Sequence, residues 1–222
     1  MSDIAYQIGD SLYLNITNRC TNECPFCIRN KGRQFNQQYD LWLNKEPTVD
    51  EIMAAIGDPA KYEQIVFCGY GEPTIRLDII KTVTAEFKSK LQTSNIQTKD
   101  KSQLSNLKNA ASPIIRLDTN GTANLFWGRN ILPELKGLID FISISLNAEN
   151  AEKYNKLCRP MFGEQTYAAV LDFIRTAKSF IPVVEATIVD LPGVDKEACR
   201  KVAKELGASF RVRPYYEESY VK

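Results

Sequence analysis

Three cysteines placed close together are the residues of this sequence best suited to chemistry. Cys20, Cys24 and Cys27 are separated by three and two residues, directly after an apolar segment. Thiolates at this spacing allow one loop to surround three corners of a metal centre. A closed zinc site needs a fourth ligand, but the sequence has no histidine and no fourth cysteine nearby. A [4Fe–4S] cluster with one iron left open to a small ligand suits these donors better.

A glycine-rich turn and two polar segments follow later strands. The turn is Gly69-Tyr70-Gly71-Glu72-Pro73, whose glycines would let the backbone approach a ligand closely. Thr119-Asn120-Gly121 follows one predicted strand, Ser145-Leu146-Asn147 lies at the end of another, and Arg159 lies in a later loop. The three later segments are open to two interpretations, ligand contacts or ordinary loop and helix-cap chemistry.

Composition and charge restrict the function classes. The chain has 222 residues, 44% hydrophobic and 25% charged, and a formal charge of +1 from 28 basic and 27 acidic residues. Because this formal charge is close to zero, the chain lacks the strong positive field that attracts nucleic acid or an anionic membrane, so neither is an expected partner. There is no apolar run of the ~18 residues that span a membrane and no signal-peptide pattern, so we expect a cytoplasmic protein with reduced cysteines. The absence of histidine excludes Ser-His and Cys-His hydrolases.

Strand and helix patterns alternate along the chain and predict one α/β domain over 1–222. Six strands are expected, at Ser11–Thr17, Gln64–Cys68, Pro113–Asp118, Phe141–Leu146, Val183–Val189 and Phe210–Arg213. Too few residues follow Pro214 for the eight units of a full barrel of about 250 residues, so we predict a partial (β/α)6 TIM-like barrel of parallel strands. An open doubly wound sheet is the alternative. The polar tract 91–112 is predicted to be a mobile insertion away from the carboxyl ends of the strands.

Several strands alternate polar and apolar residues, which indicates a polar barrel lumen. The polar sets are Arg116 and Asp118, Ser143 and Ser145, Glu185 and Thr187, and Arg211 and Arg213. We expect a wet, ligand-sized cavity with Arg213 and Glu185 as catalytic residues at its substrate end, because guanidinium groups grip carboxylate or phosphate. The alternative is a structural network in which the arginines pair with Glu185 or Asp118.

These motifs together resemble the radical S-adenosylmethionine (radical SAM) superfamily. The cysteine spacing with Phe26 before the third cysteine is similar to its signature, and Gly69–Pro73 resembles its Gly-Gly-Glu-Pro segment with Tyr70 substituted. More narrowly, the chain resembles small radical SAM proteins encoded beside TatD-type hydrolases. The segments that carry this narrower likeness are Tyr13–Cys20, Val66–Glu72, Gly128–Ile131 and Val189–Gly193.

The resemblance implies a cofactor and a first step. Cys20, Cys24 and Cys27 would hold a [4Fe–4S] cluster whose open iron is chelated by S-adenosylmethionine. One electron would then cleave the cofactor to methionine and a 5′-deoxyadenosyl radical, which abstracts hydrogen from the substrate. The implied partners are a small substrate, a reductant such as flavodoxin or ferredoxin, and a TatD-type hydrolase as a functional link. The implied cofactor contacts are Phe26, Gly69, Gly71, Glu72, Thr119, Asn120, Ser145, Asn147 and Arg159.

Three functions remain open from the sequence. A radical enzyme acting on a small, anionic substrate is favoured by the charged lumen. An activating enzyme that generates a radical on a partner protein or peptide suits an incomplete barrel. A cluster-bearing module without catalysis would leave Gly69–Pro73 and Ser145–Asn147 without a purpose. Cys158, near the cofactor end, is either a catalytic thiol or a buried core residue.

Overall fold

A computed structural model describes residues 2–97 and 112–215. Its main layer is a seven-stranded sheet in the order β1-β2-β5-β6-β7-β8-β9. The strands are β1 (Ala5–Ile8), β2 (Ser11–Leu14), β3 (Gln34–Phe35), β4 (Tyr39–Asp40), β5 (Gln64–Phe67), β6 (Ile114–Thr119), β7 (Phe141–Ser145), β8 (Val183–Val189) and β9 (Ser209–Arg213). The helices are α1 (Val49–Ile56), α2 (Leu77–Gln97), α3 (Ala123–Trp127), α4 (Leu132–Leu135), α5 (Ala151–Cys158), α6 (Gln165–Ala177) and α7 (Lys196–Glu205).

The predicted partial barrel of parallel strands is confirmed. From β2 through β9 every neighbouring pair of the main sheet is parallel. Strand β1 is not among the predicted strands; it pairs antiparallel with β2 across a turn at Gly9, whose φ is 57°. Within the described residues β1 and β9 are the edges of this sheet. The short hairpin of β3 and β4 forms a separate sheet in the connection before α1.

The helices begin where local chemistry favours them. Thr48 caps α1 by accepting a hydrogen bond from the backbone of Glu51, whose carboxylate accepts from the Thr48 backbone at 2.8 Å. This is a capping box, which Thr48 followed three residues later by Glu51 predicts. Helix α2 continues through Gln97, so 91–97, the first part of the predicted insertion 91–112, are helical. The rest of the predicted polar insertion, 98–111, lies outside the described residues. No helix in the described part of the chain is long and apolar enough to cross a membrane.

The two faces of the sheet differ in character, as the period of two predicts. Leu117, Ile142, Ile144, Ala186 and Ile188 are buried with side chains from the helices in one large core. The alternate side chains are polar and contact one another on the other face. The helix-covered face therefore stabilises the fold, and the polar face is free to line a site.

Candidate functional site

The candidate site lies at the carboxyl ends of β2, β5, β6 and β7. Because these strands are parallel and in register, the loops that follow them meet at one end of the sheet. The cysteine loop follows β2, and the glycine-rich turn follows β5. The predicted polar segments at Thr119-Asn120 and Ser145–Asn147 follow β6 and β7. The fold thus brings all four motifs to one edge.

The cysteine loop is fixed by backbone hydrogen bonds to the end of α5. The Glu23 amide donates to the Cys158 carbonyl at 3.1 Å, and the Met161 amide donates to the Thr21 carbonyl at 2.9 Å. Within the loop the Cys27 amide donates to the Cys24 carbonyl at 3.0 Å. The loop therefore holds its thiols in a defined place before any metal binds.

The three thiols are strongly perturbed by their surroundings. Burial, followed by the nearby charge of Glu72, raises the pKa of Cys20 to about 12. Burial also raises the pKa of Cys27, and a hydrogen bond with the side chain of Cys158 is the main cause that raises the pKa of Cys24. The positive charge of Arg29 opposes these shifts at all three thiols. Metal binding would have to displace these protons, and Arg29 would stabilise the thiolates that result.

The donor set fits a cluster better than a single ion. Across 2–97 and 112–215, no three histidine, cysteine or carboxylate side chains converge to hold one metal ion. In a four-iron cluster each thiolate binds a different iron, so its thiols stand apart. Three half-buried thiols on one loop beside Arg29 meet that requirement and leave one iron open. The protein residues therefore fit the expected cluster.

Glu72 is buried between the β5 turn and the end of β6 and uses its carboxylate within the protein. It accepts from the Thr74 amide at 3.0 Å, the Thr74 hydroxyl at 2.7 Å, the Thr119 hydroxyl at 2.8 Å and the Asn120 amide at 2.6 Å. Burial raises the pKa of Glu72, and these bonds oppose the rise. Glu72 stays a predicted cofactor contact, and these bonds also give its carboxylate a positioning role within the protein.

We expect Glu72→Gln to lower the free energy of unfolding by about 1–3 kcal/mol, because an amide nitrogen would face donors that need an acceptor. Urea unfolding followed by circular dichroism measures the effect, and Glu86→Gln at an exposed position of α2 is the matched control. Equal midpoints for the two variants would contradict the positioning role.

The two predicted glycines are required by close packing within the protein. A Cβ on Gly69 would lie 2.2 Å from Asn15 Oδ1, and one on Gly71 would lie 2.4 Å from the carbonyl oxygens of Thr17 and Arg19. Sequence reasoning attributed these glycines to the approach of a ligand. The structure adds a second reason, since the two glycines let the β5 turn pack directly on the chain that leads into the cysteine loop.

Asn120 connects the end of β6 with the first cysteine. Its amide donates to Thr21 Oγ1 at 2.8 Å and to Cys20 Sγ at 3.7 Å. Its own oxygen accepts from the backbone and hydroxyl of Thr122. The side chain that was predicted to contact a cofactor therefore also orients Cys20.

Asn147 carries a buried hydrogen-bond acceptor that no described residue satisfies. Its backbone is left-handed, with a φ of 58°, and its amide nitrogen donates to Cys158 Sγ at 3.5 Å. Its Oδ1 is enclosed but has no partner among the described residues. Leaving such a group unpaired costs about 1–3 kcal/mol, so a ligand hydroxyl there would be favourable. Asn147 is one of the cofactor contacts that the resemblance implies.

Phe26 and Arg159 are two more of the predicted cofactor contacts. Phe26 is half-buried and packs against the main core. Arg159 ends α5 in a left-handed conformation, with φ of 44°, and its side chain is exposed.

On the polar face two arginines are neutralised by neighbouring carboxylates. Arg211 Nε donates to Glu185 Oε1 at 2.9 Å, and Ser143 donates to the same oxygen at 3.2 Å. Arg116 Nε donates to Asp118 at 2.6 Å. Arg211 and Glu185 therefore form an ion pair, which is the pairing expected if these side chains form a structural network.

Arg213 differs from the other two arginines. Its Nη2 donates to Ser145 Oγ at 3.2 Å, while its Nε is fully enclosed and unpartnered in the described part of the chain. Burial lowers the pKa of Arg213, and the negative charge of Asp118 opposes this shift. No carboxylate of the described residues forms an ion pair with it.

Two side chains that support the cysteine loop were not predicted. Asn22 donates to the hydroxyl of Tyr154 at 3.3 Å, and Tyr154 is fully buried on α5. A tyrosine at a helical core position carries no sequence signal that links it to a loop so distant in the chain.

Comparisons with known proteins give the family and the fold. The family model of the Radical SAM superfamily matches residues 14–206. The crystal structure of methylornithine synthase (PylB) aligns with a TM-score of 0.56 and 15% identity, over 92% of this chain and 53% of that chain. HydG, a maturase of the [FeFe]-hydrogenase, aligns with a TM-score of 0.54 and 17% identity, over 92% of this chain and 42% of that one.

A radical SAM methyltransferase from Sphaerobacter thermophilus gives a TM-score of 0.51 and 13% identity, over 95% of this chain and 68% of that one. At these identities the likeness concerns the fold alone. The chain spans about half the length of the first of these structures. No curated protein matched the sequence.

Proposed function

Because the chain belongs to the radical SAM superfamily, we propose that it cleaves S-adenosylmethionine reductively and abstracts hydrogen from a small substrate that carries one negative charge. The family model supports the cleavage chemistry. The charges of the polar face support the choice of substrate. The observation that carries this choice is the enclosed, unpartnered Nε of Arg213, whose Nη2 donates to Ser145.

The residues of the cysteine loop would hold the cluster. Cys20, Cys24 and Cys27 are its proposed ligands, and Asn120 orients the first of them. When bound, the cluster supplies the electron that breaks a carbon–sulfur bond of S-adenosylmethionine. The unpaired oxygen of Asn147 would accept a ribose hydroxyl of that cofactor. The remaining predicted contacts, from Phe26 to Arg159, are proposed to complete the cofactor site.

The polar face has one positive charge in excess. Arg116 is paired with Asp118 and Arg211 with Glu185, so each pair is neutral. Arg213 is left without a countercharge among the described residues. An unpaired charge in an enclosed site is destabilising until an anion joins it. A substrate carboxylate or phosphate would satisfy both Arg213 Nε and the neighbouring Nη2 in a two-pronged contact.

An activating enzyme for a partner protein or peptide is the second candidate. It is favoured by the open sheet, whose edges β1 and β9 remain unpaired within the described residues. A peptide loop that presents backbone would not neutralise Arg213, and for this reason we prefer the small anion.

Three further expectations belong to the same proposal. We propose flavodoxin or ferredoxin as the reductant and the cytoplasm as the location. We also propose the narrower relation to radical SAM proteins linked with TatD-type hydrolases, which is supported by the sequence segments described above.

The test is an anaerobic assay of protein reconstituted with iron and sulfide. We expect about four irons per chain and reductant-dependent formation of 5′-deoxyadenosine from S-adenosylmethionine, measured by chromatography. Zinc in place of iron, or reduced iron-loaded protein that makes no 5′-deoxyadenosine, would refute the proposal.

The substrate class is tested in the same assay with fractions of a cell extract. We expect the low-molecular-weight fraction to stimulate 5′-deoxyadenosine formation, and anion exchange to remove the stimulating component. Stimulation by the protein fraction alone would instead favour the activating enzyme.

A further inference from the structure

The surface around the cysteine loop is more basic than the rest of the chain. The loop and the segments beside it, 20–33 and 156–161, contain five basic residues and one acidic residue, Glu23. Because the whole chain has 28 basic and 27 acidic residues, the remainder of the chain has an acidic excess. The two segments form a basic rim, whose exposed charges are Lys31, Arg33, Lys156 and Arg159, with Arg29 half-buried.

Printed contacts of the cysteine loop bring the two segments of the basic rim together. Asn30 Nδ2 donates to the Cys24 carbonyl at 3.0 Å, directly before Lys31 in the chain. The Glu23 amide donates to the Cys158 carbonyl at 3.1 Å, so the end of α5 lies against the same loop. The segment 28–33 and the last turn of α5 therefore flank the proposed cluster ligands.

The charge of the basic rim is only partly neutralised. Arg33 Nη2 lies 2.9 Å from Asp40 and forms an ion pair with it. The Lys31 ammonium lies 5.9 Å from the centre of the Tyr215 ring, a contact that leaves its charge in place. Lys156 is exposed in the last turn of α5. A positive excess therefore remains beside the loop.

An exposed apolar side chain lies within the basic rim. Met161 is 69% exposed, the largest fraction among the exposed large hydrophobic side chains of the described residues. Its amide donates to the Thr21 carbonyl at 2.9 Å, which holds it against the cysteine loop. Pro25 is exposed in the same loop. Interfaces between proteins combine an apolar centre with a polar rim and are enriched in methionine and arginine, and this surface has that composition.

We propose that the basic rim is the docking surface of an acidic electron-transfer protein, which supplies the electron for cleavage of S-adenosylmethionine. The carrier loses one electron, and the cluster held by the loop gains it. The thiols of the loop are half-buried, so a cluster held there lies close to this surface. Redox complexes use small interfaces, and complementary charges raise their association rate. This inference rests on the proposed function and gives its reductant a place and a charge.

The experiment compares reductants in the formation of 5′-deoxyadenosine by the reconstituted chain without added substrate. Dithionite is a small chemical reductant that needs no docking surface, whereas a reduced acidic flavodoxin and a reduced acidic ferredoxin need one. The double variant Lys31→Glu, Lys156→Glu is expected to lower the rate with either carrier about tenfold or more at low ionic strength. Its rate with dithionite should be unchanged. Added salt should narrow the difference from the wild type.

Matched variants separate charge from packing. Lys31→Arg, Lys156→Arg keeps both charges and should retain the wild-type rates with the carriers. Lys201→Glu, Lys204→Glu makes the same change of charge at exposed positions of α7 and should leave all rates unchanged. Met161→Ser removes the apolar contact and should raise the KM for either carrier at low and at high salt.

The outcomes distinguish this inference from the function it rests on. A wild-type chain that forms no 5′-deoxyadenosine with dithionite would refute the proposed function itself. If dithionite drives the wild type but neither carrier does, or if Lys31→Glu, Lys156→Glu keeps the wild-type carrier rates, the docking surface is refuted. Equal losses with dithionite and the carriers would assign the two lysines to the fold or the cofactor site. An equal loss in the α7 variant would assign the effect to net charge. Either result would also overturn the inference.

Discussion

Replacing Cys24 by alanine is expected to give a folded chain that retains no stable cluster and forms no 5′-deoxyadenosine above background. Cys24 is half-buried on a loop held by backbone bonds to the end of α5, so its loss should not unfold the sheet. Only two of the three proposed thiolate ligands would remain. Among the described residues, no group of three potential metal ligands is placed to supply a replacement. Iron content, visible absorption and 5′-deoxyadenosine formation are the measurements.

The control for this prediction removes a thiol elsewhere. Cys199→Ala changes a buried cysteine of α7 and should keep the iron content and cleavage activity of the wild type. Cys20→Ala and Cys27→Ala should behave like Cys24→Ala. Full iron loading in any of these three variants would show that the ligand set has been assigned wrongly.

Replacing Arg213 by methionine is expected to reduce substrate-stimulated turnover by about 30-fold or more, the effect of losing a buried charged hydrogen bond. The stimulating low-molecular-weight anionic fraction serves as the probe. Cleavage of S-adenosylmethionine without that fraction should be unchanged. The melting temperature should not fall, because burial lowers the pKa of Arg213 and the charged form therefore destabilises the folded chain in the absence of an anion.

The sign of the effect of Arg213 on stability follows from its pKa. A base whose folded pKa lies below its unfolded value binds its proton more weakly in the folded state, so the charge penalty persists at every pH below that folded value. Arg200→Met on the surface of α7 is the control and should change neither turnover nor melting temperature. Weaker binding of S-adenosylmethionine by the Arg213 variant would instead assign the guanidinium to the cofactor carboxylate.

The parallel strands and their polar face could be predicted because polar and apolar residues alternate along the strands with a period of two. Arg116 with Asp118 and Arg211 with Arg213 alternate with apolar residues, and the structure places each set on the predicted side. Strand β1 was missed although the two residues after it, Gly9-Asp10, are a hairpin signal. Its four residues are too few to establish a pattern of their own.

The site was predictable in position but not in its internal hydrogen bonds. The spacing of the cysteines identifies the loop, and the strand ends bring the other motifs to it. No sequence pattern reveals that four protein donors satisfy Glu72, or that Asn147 reaches Cys158. Such contacts depend on side chains from segments far apart in the chain, so they emerge only when the strands are placed in register.

The position of Arg211 and Arg213 on β9 also bears on self-association. A strand at the edge of a sheet offers unpaired backbone groups, which another copy of the chain could extend into an aggregate. Within the described residues β9 is such an edge, and Arg211 and Arg213 contact polar side chains of β8 and β7 on the polar face of the sheet. A strand added alongside would enclose these charges further. The pair that lines the proposed substrate site thus also disfavours polymerisation through this edge.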